Sequence, residues 1–136
     1  MSKFIKRCLS ILLSFSLVGC GSVPKLAEQY SEEEVLTHAL EAIELVNEED
    51  YDGLIDLIRD DLITTELQEA LKTEINPIIS KVGNYVEYTR YQTTSTKDEN
   101  GYEYAVIAII CKYENGELTY TISLDENYEL VGIFVH

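Results

Sequence analysis

From residue 31 onward the apolar positions recur at helical spacing, and after residue 84 the spacing changes to alternation. Ser31 followed by Glu34 makes a capping box, with the serine hydroxyl accepting from the first free N–H groups of a helix. Leu36, Leu40 and Ile43 then fall at i, i+4 and i+7, and Val35, Ala39 and Val46 widen the stripe. Glu41, Glu44 and Glu48 lie on the solvent side, and the polar run Asn47 to Asp50 ends the helix. A second, short helix is expected over about residues 51–59, with Leu54, Ile55 and Ile58 inward. A third starts near Thr64 or Thr65 and runs through Leu67, Leu71 and Ile75. Pro77 is expected to interrupt it, because proline lacks the N–H and crowds the preceding turn. One more turn over 78–82 then stops at Gly83.

Eight of the ten tyrosines lie from position 85 onward, where aromatic and β-branched residues suit a pleated surface. Turn signals at Asn100-Gly101, Asn115-Gly116 and Asp125-Glu126-Asn127 divide this half into four antiparallel strands, roughly 85–95, 102–114, 117–124 and 129–135. A two-residue loop at Asn115-Gly116 pairs Tyr113 with Leu118, Cys111 with Tyr120, Ile109 with Ile122 and Ile107 with Leu124. A loop at Glu126-Asn127 sets Val131 opposite Ile122 and Ile133 opposite Tyr120. Two independent turns thus select the same apolar face, which the helices must cover. The expected fold is α+β: three N-terminal helical segments packed on a curled four-stranded antiparallel meander.

The first residues change the picture of where this domain resides. Lys3, Lys6 and Arg7 precede an apolar stretch of ten residues, Leu9 to Val18, too short for a membrane span of about 20 residues. It closes on Leu17-Val18-Gly19-Cys20, which resembles the bacterial lipobox. The resemblance implies a signal peptide over 1–19, removed after the Cys20 thiol takes a diacylglyceryl group. Residues 20–30 then form the lipidated cysteine and a tether, and 31–136 one domain. The expected location is the extracytoplasmic face of the bacterial cell membrane, lipid-anchored. Cys111 is the only cysteine left inside the domain, so no internal disulfide is expected. Loss of 1–19 takes Lys+Arg from 10 to 7 against 25 Asp+Glu, a net charge of −18. Such a surface argues against nucleic acid, whose phosphates are neutralised by Lys and Arg. It leaves solubility, or a cationic partner, as the reason for the charge.

Three stretches carry a resemblance to a known family. They are Asn47 to Leu57 with Tyr51-Asp52, Pro77 to Val82 before Gly83, and Tyr120 to Asn127 with Leu130 to Phe134. The order of elements is similar to the cystatin-like or NTF2-like cone, and the chain more narrowly resembles the DUF3887 domain of bacterial lipoproteins and secreted hydrolases, over about residues 31–136. The resemblance brings no chemistry with it, but cone folds of this kind often hold a ligand between sheet and helices.

The register of the first strand decides what would line such a space. A two-residue loop at Asn100-Gly101 pairs Tyr88 with Tyr113, Arg90 with Cys111 and Gln92 with Ile109. Tyr88, Arg90, Gln92, Tyr113 and Tyr120 then form the candidate ligand-binding set, an apolar wall with few polar groups. A longer loop flips the strand and puts Tyr91 and Thr93 inside. No catalytic constellation is visible: His38 falls off the Leu36 stripe, His136 is the last residue, and Glu103 sits at a strand start. Asp98-Glu99-Asn100-Gly101 lacks the ladder of a calcium loop and reads as a hairpin turn. No metal or cofactor is called for. The function expected is a non-catalytic binding domain for a protein, peptide or small molecule. The alternatives are an isomerase- or dehydratase-like enzyme, using Arg90 or Tyr120, and a protective immunity lipoprotein.

Overall fold

The computed structural model describes residues 25–136. The expected signal peptide, Cys20 and the start of the expected tether lie outside the described residues. The order is α1 (Glu32–Asn47), α2 (Tyr51–Leu57), a 3-10 turn (Asp60–Leu62), α3 (Thr65–Val82), then β1 (Tyr85–Lys97), β2 (Glu103–Tyr113), β3 (Gly116–Leu124) and β4 (Leu130–Val135). The strands form one antiparallel meander in the order β1-β2-β3-β4. This is the α+β architecture that the alternation of periods predicts, three helices ahead of a curled sheet.

Ser31 caps α1 by accepting from Glu34 N. The buried stripe is Val35, Ala39, Ala42, Ile43 and Val46, with Leu36 and Leu40 half-buried at its margin. The helix therefore turns its smaller side chains into the closest contact with the sheet. It ends in a Schellman motif, Asp50 N to Leu45 O at 2.9 Å and Glu49 N to Val46 O at 3.0 Å, with Glu49 in the left-handed position at φ 58°. Asp50 then immediately caps α2, accepting from Gly53 N at 2.9 Å. A Cβ at Gly53 would stand 2.8 Å from Asp50 Oδ2, so a larger residue there would have to push the capping carboxylate aside.

Helix α2 is shorter than the apolar pattern predicts. Ile58 is buried as expected, but in extended conformation, bridged in parallel to Leu130. Helix α3 runs unbroken through Pro77, contrary to the expected interruption. Leu71 and Ile75 before the proline and Ile78, Ile79 and Val82 after it pack on the same core. Asn76, adjacent to the proline, accepts a hydrogen bond from the Tyr51 hydroxyl. Packing on both sides outweighs the one lost backbone bond.

The core extends further toward the N-terminus than a boundary at Ser31 allows. Tyr30 is buried and its hydroxyl donates to Glu103 O at 2.7 Å, while Ala27 N donates to Ser95 Oγ at 2.7 Å. Residues 26–30, read from sequence as the end of the tether, are docked on the sheet.

The β2–β3 hairpin turns one residue earlier than expected, with Glu114-Asn115 as its two-residue loop. Tyr113 pairs with Gly116, and Cys111, Ile109 and Ile107 pair with Leu118, Tyr120 and Ile122. A shift of two positions leaves every side chain on its predicted face. The β3–β4 pairing is likewise displaced by two, with Ile133 opposite Ile122 and Val135 opposite Tyr120. The β1–β2 pairing differs in parity. Thr93 lies opposite Ile107 and Tyr91 opposite Ile109, while Arg90 and Gln92 lie opposite Ile110 and Ala108 on the outer face.

The loops explain these registers. Asp98-Glu99-Asn100-Gly101-Tyr102 and Asp125-Glu126-Asn127-Tyr128-Glu129 share one conformation. In each, the aspartate Oδ1 accepts from the N–H groups two and four residues on, at 2.8 to 3.0 Å. The aspartate N–H closes on the carbonyl four residues later at 3.0 Å. The fourth residue is left-handed, Gly101 at φ 84° and Tyr128 at φ 60°. A three-residue loop replaces the two-residue turn, and that change of one residue inverts β1, whereas in β4 the bulge between the Ser123 and Leu124 pairings adds a second residue and restores the face.

Candidate functional site

Helix α3 does not lie flush on the sheet. Between it and β4 runs a groove of about 370 Å³, within the range of small-ligand pockets. From α3 it is walled by Leu67, Ala70, Leu71, Ile75 and Ile78, with Glu74 exposed at the rim. Ile58 and Leu62 close the end where the chain passes from α2 to α3. All six residues of β4 border it. Alternate residues of a strand face one way, so six in succession can border a groove only if the strand presents its edge. Glu74 is the one charged side chain in the lining.

The interior that the sequence pattern offers as a pocket is filled. Tyr113 and Tyr120 are buried side by side, their hydroxyl oxygens 2.6 Å apart, and Tyr113 donates to Asn47 Oδ1 at 2.5 Å. With that proton committed, the Tyr120 hydroxyl must donate to Tyr113. Burial pushes the Tyr113 hydroxyl up to about 12. Burial, and then its role as donor to Tyr113, raises Tyr120 as well. Cys111, fully buried between the same strands, is pushed up to about 11 by burial, so its thiol stays protonated at neutral pH.

The five predicted ligand-binding residues are therefore not brought together. Tyr113 and Tyr120 occupy the core. Arg90 and Gln92 are exposed on the outer face, because the Asp98 loop reverses the parity of β1. Tyr88 keeps the inner register opposite Cys111 through a bulge at Thr89, whose hydroxyl donates to Ile110 O at 3.3 Å. Tyr88 nevertheless remains 39% exposed, on an edge strand. His38 stacks on Tyr128, ring centroids 5.2 Å apart, at the boundary of the core.

A second, polar cleft of about 640 Å³ lies between the two Asp-Glu-Asn loops. Arg59 enters it, paired with Asp61 at 2.6 Å and 3.7 Å from Asp125 Oδ2. Asp98 there accepts from the Tyr104 hydroxyl at 3.0 Å. Desolvation raises Asp98, but the Tyr102 N–H, the Tyr104 hydroxyl and the Asn100 and Gly101 N–H groups together hold it below the usual carboxylate range. Its carboxylate shapes the loop. Among the described residues no group of three His, Cys, Asp or Glu could hold a metal ion, and no helix is long and apolar enough to cross a membrane.

The groove went unseen in the sequence because it lies between two separately readable elements. Ala70 and Gly132, small residues amid bulky apolar neighbours on α3 and β4, are the signal that marks it.

Residues 39–133 match the family described as "Protein of unknown function (DUF3887)". The chain belongs to the DUF3887 family. Among solved structures, this DUF3887 domain is similar to the one titled "NMR structure of protein from Ruminococcus gnavus ATCC 29149". The TM-score is 0.72 and the identity 26%, over 84% of this chain and 99% of that one. No curated protein matches the chain.

Proposed function

We propose that this DUF3887 chain is a non-catalytic binding protein of NTF2-like build, held on the extracytoplasmic face of the cell membrane by lipid on Cys20, and that its ligand lies in the groove between α3 and β4. The observation that carries the reading is the groove itself, an apolar channel of about 370 Å³ with one carboxylate at its rim. Apolar walls with few polar groups suit recognition of a partly hydrophobic ligand. Proton transfer needs a titrating group facing bound substrate. The two interior tyrosines instead have their hydroxyls committed to each other and to Asn47, with their pKa values raised. Arg90, which the isomerase or dehydratase alternative would use, is on the outer face.

Nile red, a neutral dye that brightens on leaving water, tests the groove. Residues 25–136 are the fragment to use, since the Ruminococcus gnavus chain aligned with 84% of this one is itself a folded protein in solution. Ala70→Trp fills the channel from α3. Losing contact with two or more CH₂-sized groups at ~0.8 kcal/mol each weakens binding about tenfold or more. The expected result is dye binding by the parent and its loss in Ala70→Trp at an unchanged melting temperature. Absence of binding, or equal binding by both, sinks the reading.

A further inference from the structure

We propose that the groove takes an extended, cationic peptide segment, which adds to β4 as a fifth strand and sets a Lys or Arg side chain against Glu74. The proposal rests on the groove being the binding site and names what it binds.

The backbone of β4 is half used. Thr119 and His136 exchange both hydrogen bonds, at 2.8 and 3.1 Å. Antiparallel pairs alternate, so Thr121–Phe134 and Ser123–Gly132 are the next bonded pairs. The bulge at Val131 turns its N–H toward β3, whereas the Val131 carbonyl and the peptide groups of Ile133 and Val135 therefore point away from β3. β4 is the last strand of the sheet, so they point to its free edge, and that edge borders the groove. A row of donors and acceptors between apolar walls is matched by another backbone far better than by an apolar small molecule.

The chain already uses this edge once. Ile58 bridges Leu130, and Arg59 N donates to Leu130 O at 3.0 Å. The 3-10 turn at Asp60–Leu62 then carries the chain off toward α3. A fifth strand is thus begun and left after one bridge, and among the described residues no other strand pairs with this edge of β4.

Charge selects the guest. Glu74 is the only charged group lining the groove, and the whole chain carries −15. A second copy pairing edge to edge would bring two such charges together, whereas a basic peptide is drawn in. Strand addition also fits alternating side chains, one set against α3 and the other to solvent.

The test uses NMR on residues 25–136 with a blocked hexapeptide alternating valine and lysine. Two controls are its valine–glutamate counterpart and a version N-methylated at alternate residues. Expected is slowed amide exchange at Ile133 and Val135, with Val131, Gly132 and Phe134 unchanged. The N-methylated and glutamate peptides should bind at least about tenfold more weakly, and Glu74→Gln should narrow the gap between the lysine and glutamate peptides. Equal binding of the methylated peptide, or no protection at millimolar peptide, overturns the proposal. Protection of the same two amides that rises with protein concentration alone would overturn it too, in favour of a second copy. Nile red separates the two levels: dye held without peptide pairing refutes only the strand addition, and loss of both refutes the groove.

Discussion

Tyr113 sits between two hydrogen-bond partners, one half-buried and one buried. It donates to Asn47, 66 positions away, and accepts from Tyr120, which is wholly buried. Removing its hydroxyl strands the Tyr120 donor in the core, and an unpaired buried donor costs more than a bond is worth. Tyr113→Phe should therefore destabilise by about 2–3 kcal/mol, and Tyr120→Phe by only about 1, since Tyr113 keeps its bond to Asn47. Denaturant midpoints compare the two, and equal losses would show that the chain of donors runs otherwise. The inward parity of both tyrosines is legible from the apolar alternation around Asn115-Gly116. Their pairing with Asn47 is not, because nothing local couples the end of a helix to a strand so far along the chain. Glu49 is similarly opaque: its left-handed position is one where glycine or asparagine is expected.

Elements are read well where one face is buried and poorly where a loop chooses between two and three residues. The helix order, the meander and the inner face of β2 and β3 follow from periodicity, and displacement by two positions does not disturb that face. The parity of β1 hangs on a single carboxylate, Asp98, whose bonds to the Asn100 and Tyr102 N–H groups stabilise the longer loop. Only the repetition of Asp-Glu-Asn at 98–100 and 125–127 hints in the sequence that both loops are built alike. Continuity of α3 through Pro77 was hidden for another reason, because the compensating contacts come from other elements. Asp98 has a depressed pKa in the folded state. The stability it contributes is present above the ordinary aspartate range, near 3.9, and is lost as pH falls through the lower folded value. Asp98→Asn should be less stable than the parent at neutral pH. The difference should shrink as pH falls from about 5 toward 2, as urea unfolding at a series of pH values would record. A gap that does not depend on pH would assign the effect to loop geometry alone.

For the molecule as a whole, the proposed anchoring is a matter of Cys20. Cys20→Ala should leave a full-length precursor in cells and abolish labelling by a fatty-acid probe, and persistence of the label in the mutant would refute the lipid anchor. The charge of residues 20–136, −18, would keep such an anchored surface off anionic headgroups. Docking of residues 26–30 then fixes how far off. Ala27 is tied to Ser95, Tyr30 to Glu103 and Ser31 to the Tyr128 hydroxyl. These ties lie on the side of the sheet that carries the two Asp-Glu-Asn loops. With that segment fastened down, an acyl group on Cys20 would have only residues 20–25 as leash. Six residues reach at most about 20 Å. The body would hover within one small-domain radius of the bilayer, always with the same end down, so a partner presented from the membrane plane meets the acidic loops before anything else.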